Sequence, residues 1–128
     1  MLVPTDPALF EARVLRWLKR EALRVLDAET RAVAAQAGVT VGKVSVGDAR
    51  SRWGSCSAAG DIRYSWRLVL APAFVLRSTV AHEVAHRVHM NHGPAFKALE
   101  RELLGESPAV AREWLRANGA KLYSYGRS

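Results

Sequence analysis

The 128-residue sequence predicts an α+β fold. Three observations carry the prediction. Apolar residues recur at helical spacing through the first third of the chain, two middle segments have strand character, and the last half shows helical patterns interrupted by Gly-Pro and Ser-Pro pairs. The expected order is a long N-terminal helix, a small three-stranded sheet, a histidine-bearing helix and two C-terminal helices. No repeat, low-complexity tract or linker divides the chain, so residues 1–128 read as a single domain.

Asp6-Pro7 reads as a helix start, an acidic N-cap before proline at the first helical position. From 8 to 37, Phe10, Val14, Trp17, Leu18, Val25, Leu26 and Val33 mark one apolar face, and Gly38 is the expected stop. The opposite face carries Arg13, Arg16, Arg20, Arg24 and Arg31 and reads first as a solvated face. The run 43-KVSVGD-48 alternates, while 61-DIRYSWRLVL-70 is rich in β-branched and aromatic residues. Between them, 51-SRWGSC-56 and the small-residue turn 57-SAAG-60 suggest a hairpin. A second helix is expected from Pro72 to about Met90, where Gly93-Pro94 must interrupt it. A third runs from Pro94 to Gly105. A fourth has Ser107 as cap, Pro108 at its first position and Gly119 at its end.

Composition limits the function. The 19 Lys and Arg residues against 12 Asp and Glu give a formal charge of +7, which allows an acidic partner such as nucleic acid without demanding one. No apolar run approaches the roughly 18 residues that span a membrane. The start, MLVPTDPALF, has no basic region followed by an apolar one, so no signal peptide is expected. The single cysteine, Cys56, fits a reducing compartment, and the expected location is cytoplasmic.

The chemistry is concentrated in 82-HEVAHRVHMNH-92, which contains all four histidines. On a helix, His82 and His86 lie about 40° apart around the axis and about 6 Å along it, so both rings can reach one ion. Glu83 sits about 80° to one side, placed to address a water rather than the ion. Two ligands on one helical face beside a carboxylate base are the physical content of HExxH. A catalytic zinc takes three protein ligands and keeps one position open. His89 points the same way as His82 but lies about 10.5 Å along the axis, beyond the reach of one ion on a straight helix. His92 would lie about 15 Å away if the helix continued. Asn91 tolerates the left-handed conformation that ends helices, and Gly93-Pro94 enforces a break. A chain turning back there returns His92 to the ion, making it the better third ligand.

The combination 51-SRWGSCS-57, 66-WRLVLAP-72, 82-HEVAH-86 and 91-NHGPAF-96 resembles the YgjP-like metallopeptidase family, grouped with the WLM and SprT-like zincins. The likeness is strong over residues 40–104 and looser over the first helix. It implies a minimal zincin-like metalloprotease domain in which His82, His86 and His92 bind Zn²⁺ and Glu83 is the catalytic acid/base. The sequence departs from the family in three ways. Ser65 stands where asparagine is expected, Lys97 where many relatives have tryptophan, and longer members carry a β-rich N-terminal segment. A metzincin shares the ligand spacing of HExxHxxGxxH, but His89 occupies the place of its turning glycine.

The resemblance implies a zinc endopeptidase acting on polypeptides, with an extended substrate pairing with a sheet edge, for which 61-DIRYSWR-67 is the candidate. Tyr64, His89, Tyr123 and Tyr125 are candidates to bond a developing oxyanion, and His89 also to support the ligands or face the substrate. Cys56, Trp53 and Trp66 read as packing residues, and Phe96 as the anchor of the third helix on the histidine helix. Two alternatives remain: an SprT-like nucleic-acid-associated protease or binding module, and a zinc hydrolase of a non-peptide amide.

Overall fold

The computed structural model describes residues 7–49 and 51–125; the cap expected at Asp6 lies outside them. The fold is α+β, with four helices and a mixed three-stranded sheet. Helix α1 spans Pro7–Ala37 and ends in a left-handed Gly38 at φ 73°. There the amide of Gly38 reaches the Ala35 carbonyl at 3.2 Å and that of Val39 the Ala34 carbonyl at 3.0 Å. This paired closure satisfies carbonyls that a helix end would leave open.

Only the later part of α1 is core. Ala22, Leu26, Thr30, Val33 and Ala34 are buried, whereas Phe10, Val14 and Trp17, expected on the covered face, are 45, 39 and 53% exposed. Length explains the difference. Thirty-one residues make a helix of about 46 Å, longer than the roughly 36 Å breadth of a domain this size. Its first turns therefore extend past the layers that cover the rest.

Strands β1 (Val44–Gly47), β2 (Gly54–Cys56) and β3 (Ile62–Ser65) lie in the order β1-β3-β2. The expected hairpin forms, β2 running antiparallel to β3, while β1 joins β3 in parallel. Segment 61–67 is thus not an edge: β3 is the central strand. Nor does the strand continue to Leu70. It gives way at Trp66–Leu70 to a 3-10 turn capped by the Ser65 hydroxyl, which accepts the Arg67 amide at 3.3 Å. The run WRLVL offers no polar alternation for a half-solvated strand, and Trp66, Arg67 and Leu68 are all buried. The buried Arg67 guanidinium is matched by an ion pair to Asp48, by the Tyr125 carbonyl at 2.8 Å and by the Trp66 ring 4.7 Å away. It thereby ties the sheet to the end of the chain's last helix.

Helix α2 (Ala73–Ala85) is apolar almost all round, which marks a central helix. It packs against α1, β2, α3 (Pro94–Leu104) and α4 (Ala109–Ser124). It ends about five residues earlier than its apolar pattern suggests. The amides of His86, Arg87 and Val88 reach back only three residues, to Glu83, Val84 and Ala85, so the last turn tightens and leaves the helix. Asn91 does not adopt a left-handed conformation, since no described residue other than glycine has positive φ. Helix α3 ends at Gly105 as expected. Helix α4 begins at Ala109, whose amide donates to the Ser107 hydroxyl at 3.2 Å. It continues through Gly119, which is buried inside it and is not its end. A Cβ there would lie 3.3 Å from the Trp53 indole, so Gly119 is a packing position. No helix among the described residues is long and apolar enough to cross a membrane.

Candidate metal centre and active site

Two helices and the turn between them bring three histidines together. His82 and His86 stand one turn apart at the end of α2, and the tightened turn returns the chain so that His92 faces them. One ring nitrogen from each lies within 4.8 Å of the others, and Nε2 of His86 and Nε2 of His92 are 3.0 Å apart. A four-coordinate ion holding nitrogens at about 2.0–2.1 Å sets them about 3.4 Å apart. The observed spread brackets that value, so small ring rotations complete the set.

The hydrogen bonds identify which atoms are available. Nδ1 of His82 is 2.7 Å from Glu100 Oε2, and Nδ1 of His86 is 3.2 Å from the His89 carbonyl. Carboxylates and carbonyls only accept, so each Nδ1 must carry the proton and each Nε2 is left with its lone pair. Burial and the neighbouring His82 push the His86 pKa down, which favours the neutral ring a metal requires. Three neutral imidazoles suit a transition-metal ion. Beneath them, the Phe96 ring centroid lies 5.1, 4.6 and 4.8 Å from those of His82, His86 and His92. Phe96 is buried, so it forms a dry floor that fixes α3 against all three rings.

Glu83 is 5% exposed and takes no hydrogen bond from the described residues, so its carboxylate remains available. Burial pushes its pKa up to about 7, against the opposing charges of His82 and Arg52. Its neighbour is the glycine of RWGSC. A Cβ on Gly54 would lie 2.9 Å from Glu83 Oε2 and 3.0 Å from its Cγ. Only the absence of a side chain lets β2 close over the carboxylate. Beside it is a cleft of about 240 Å³ lined by Arg52, Trp53, Ser78, Thr79, Arg112 and Leu115, among others.

The remaining candidates lie elsewhere. His89 contributes its backbone carbonyl and is outside the histidine cluster. Tyr64 is a core residue whose hydroxyl is 2.9 Å from Thr30 Oγ1; as a free donor over the cleft it is a mistaken expectation, because the central strand turns it inward. Tyr123 stacks on Trp53 with centroids 4.5 Å apart, and Tyr125 is exposed. Cys56 is half-buried, with its thiol pKa raised by burial and by the charge of Glu83, which disfavours a nucleophilic thiolate. Trp66 is core, as expected.

Sequence reasoning missed Glu100 and Arg112. Glu100 is 2% exposed and accepts from His82 and, at 3.2 Å, from Arg112 Nη2. Burial pushes its carboxyl up, but the His82 hydrogen bond and the charges of His82, Arg112 and His92 outweigh that and hold it below the usual value. A signal existed: Glu100 follows Phe96 by four residues and precedes Leu103 by three, an acid on the apolar face of its helix.

No curated protein and no solved structure is found to match the chain. The family description YgjP-like, metallopeptidase domain, matches residues 1–118. With that match over nearly the whole sequence, the chain belongs to the YgjP-like metallopeptidase family.

Proposed function

We propose that this metallopeptidase is a zinc-dependent endopeptidase in which His82, His86 and His92 hold the ion and Glu83 is the general base. The carrying observation is the juxtaposition of three ring nitrogens within 4.8 Å with a buried carboxylate that takes no hydrogen bond from the described residues, on the same helix end. Bound there, zinc would supply an acidified water and a Lewis acid for the substrate carbonyl. Glu83 takes the proton from the attacking water and passes it to the leaving amine, a role suited to a carboxyl poised near 7. Phe96 and the cover of β2 close the inner side of the site, while the exposed His92 leaves its outer side open to solvent.

The backbone supports an extended polypeptide substrate. In the β2–β3 ladder, the Trp53 carbonyl accepts from Ser65 and the Ser57 amide donates to Asp61. By the antiparallel alternation, Gly54 and Cys56 direct their own amides and carbonyls away from β3. Of the sheet's two edges, β1 and β2, it is β2 that lies against Glu83, and a substrate strand pairs there. The comparisons lend nothing to a nucleic-acid role. The lone Cys56 keeps the cytoplasm as the proposed location.

The test is Glu83→Gln. Zinc content should be unchanged while hydrolysis of a diverse peptide library falls at least about 100-fold, the lower end of general-base contributions. Full activity with zinc bound would sink the mechanism. Cleavage of simple amides but of no peptide would move the enzyme to the non-peptide class.

A further inference from the structure

The three histidines are not held alike. His86 donates to a backbone carbonyl at 3.2 Å, whereas His82 donates to a full carboxylate at 2.7 Å. That carboxylate, on Glu100 of α3, is almost completely enclosed. An enclosed charge is costly unless it is paired and hydrogen-bonded. Glu100 is paired on both sides: His82 lies inward, and Nη2 of Arg112, on α4, lies outward at 3.2 and 3.3 Å from its two oxygens. Arg112 is more than half exposed, so the line runs from solvent through α4 and α3 to one ring on α2.

We propose that Glu100 is a positioning residue: it locks His82 in the Nδ1–H tautomer and aims Nε2 at the ion, while Arg112 holds Glu100 in place. The inference rests on the zinc reading above. It puts control of metal affinity on the two C-terminal helices. A purely structural buried ion pair would support the helix packing without favouring either His82 tautomer.

The experiment uses the full chain and zinc itself. In metal-free protein, nitrogen NMR of labelled histidine should show His82 protonated at Nδ1. That signature should persist in Glu100→Gln, whose amide oxygen still accepts, and be lost in Glu100→Leu. Zinc affinity by chelator competition should fall about 10- to 100-fold in Glu100→Leu, the scale of lost outer partners of a metal-binding histidine. Glu100→Gln and Arg112→Ala should fall by less. Unchanged zinc affinity or an unchanged His82 tautomer in Glu100→Leu overturns the proposal. If that variant fails to fold, unchanged affinity in both Glu100→Gln and Arg112→Ala overturns it instead. His82→Ala and His92→Ala separate the two readings. If both keep full zinc affinity, the histidine site itself is misassigned; if both lose zinc while Glu100→Leu keeps it, only the role of Glu100 falls.

Discussion

Gly54 matters because of what a methyl group would strike. With Glu83 atoms 2.9–3.2 Å from a Cβ at that position, Gly54→Ala must move either β2 or the carboxylate. Misplacing a reacting group by about 1 Å can cost roughly 10²-fold in rate. The expected outcome is a 10- to 100-fold loss of peptide hydrolysis with zinc affinity intact, measured by initial rates and chelator competition on one preparation. Equal loss of zinc would mean that the strand supports the ligands instead. This glycine also shows the limit of reading residues singly. The motif RWGSC is visible in the chain, but the group it makes room for is 29 residues away and appears only once β2 and α2 are packed. His82, Glu83 and His86 were legible because one helical turn places them; helical rise set His89 aside. Glu100 and Arg112 act across three helices, where sequence spacing carries little information.

At the scale of elements, terminating signals are more legible than lengths. Gly38, Gly105 and the Ser107-Pro108 pair sit where helices stop or start. Gly119 misled because a glycine chosen for close packing and one chosen for a turn are identical in sequence. The observed β3 and α2 are shorter than the expected strand 61–70 and helix 72–90, since apolar runs do not reveal where hydrogen bonding changes from one period to another. Gly38 permits a clean test, because a Cβ there meets no atom within 4 Å. Gly38→Ala changes only the backbone cost of a left-handed residue, about 1–2 kcal/mol. Its melting temperature should fall accordingly, with zinc affinity and hydrolysis unchanged. A stability equal to the parent's would mean that the end of α1 can rearrange freely.

Across the whole molecule, the core and the centre are continuous: α2 is the most enclosed helix and it and its cap carry two of the proposed ligands, and Phe96 belongs to the core while touching all three rings. Metal binding and stability must then be linked. Zinc at 100 times its dissociation constant contributes about 2.7 kcal/mol, or roughly 10 °C in melting temperature for a chain of this length. Calorimetry should show that rise, its reversal by a chelator and its absence in His92→Ala. A zinc-independent melting temperature in the parent protein would exclude the centre as a specific site.

The bond from the His86 ring to the His89 carbonyl has a kinetic consequence. The side chain proposed to offer one nitrogen to the ion uses the other to pin the very turn that delivers His92. A ring flip that frees that carbonyl also withdraws the second ligand and loosens the approach of the third. Capture of the ion and freezing of residues 87–93 are then one cooperative event, and release must wait for local opening. Amide hydrogen exchange across 88–92 should slow together on adding zinc, at rates that follow zinc dissociation. Exchange unaffected by the ion would show that the turn is held without it.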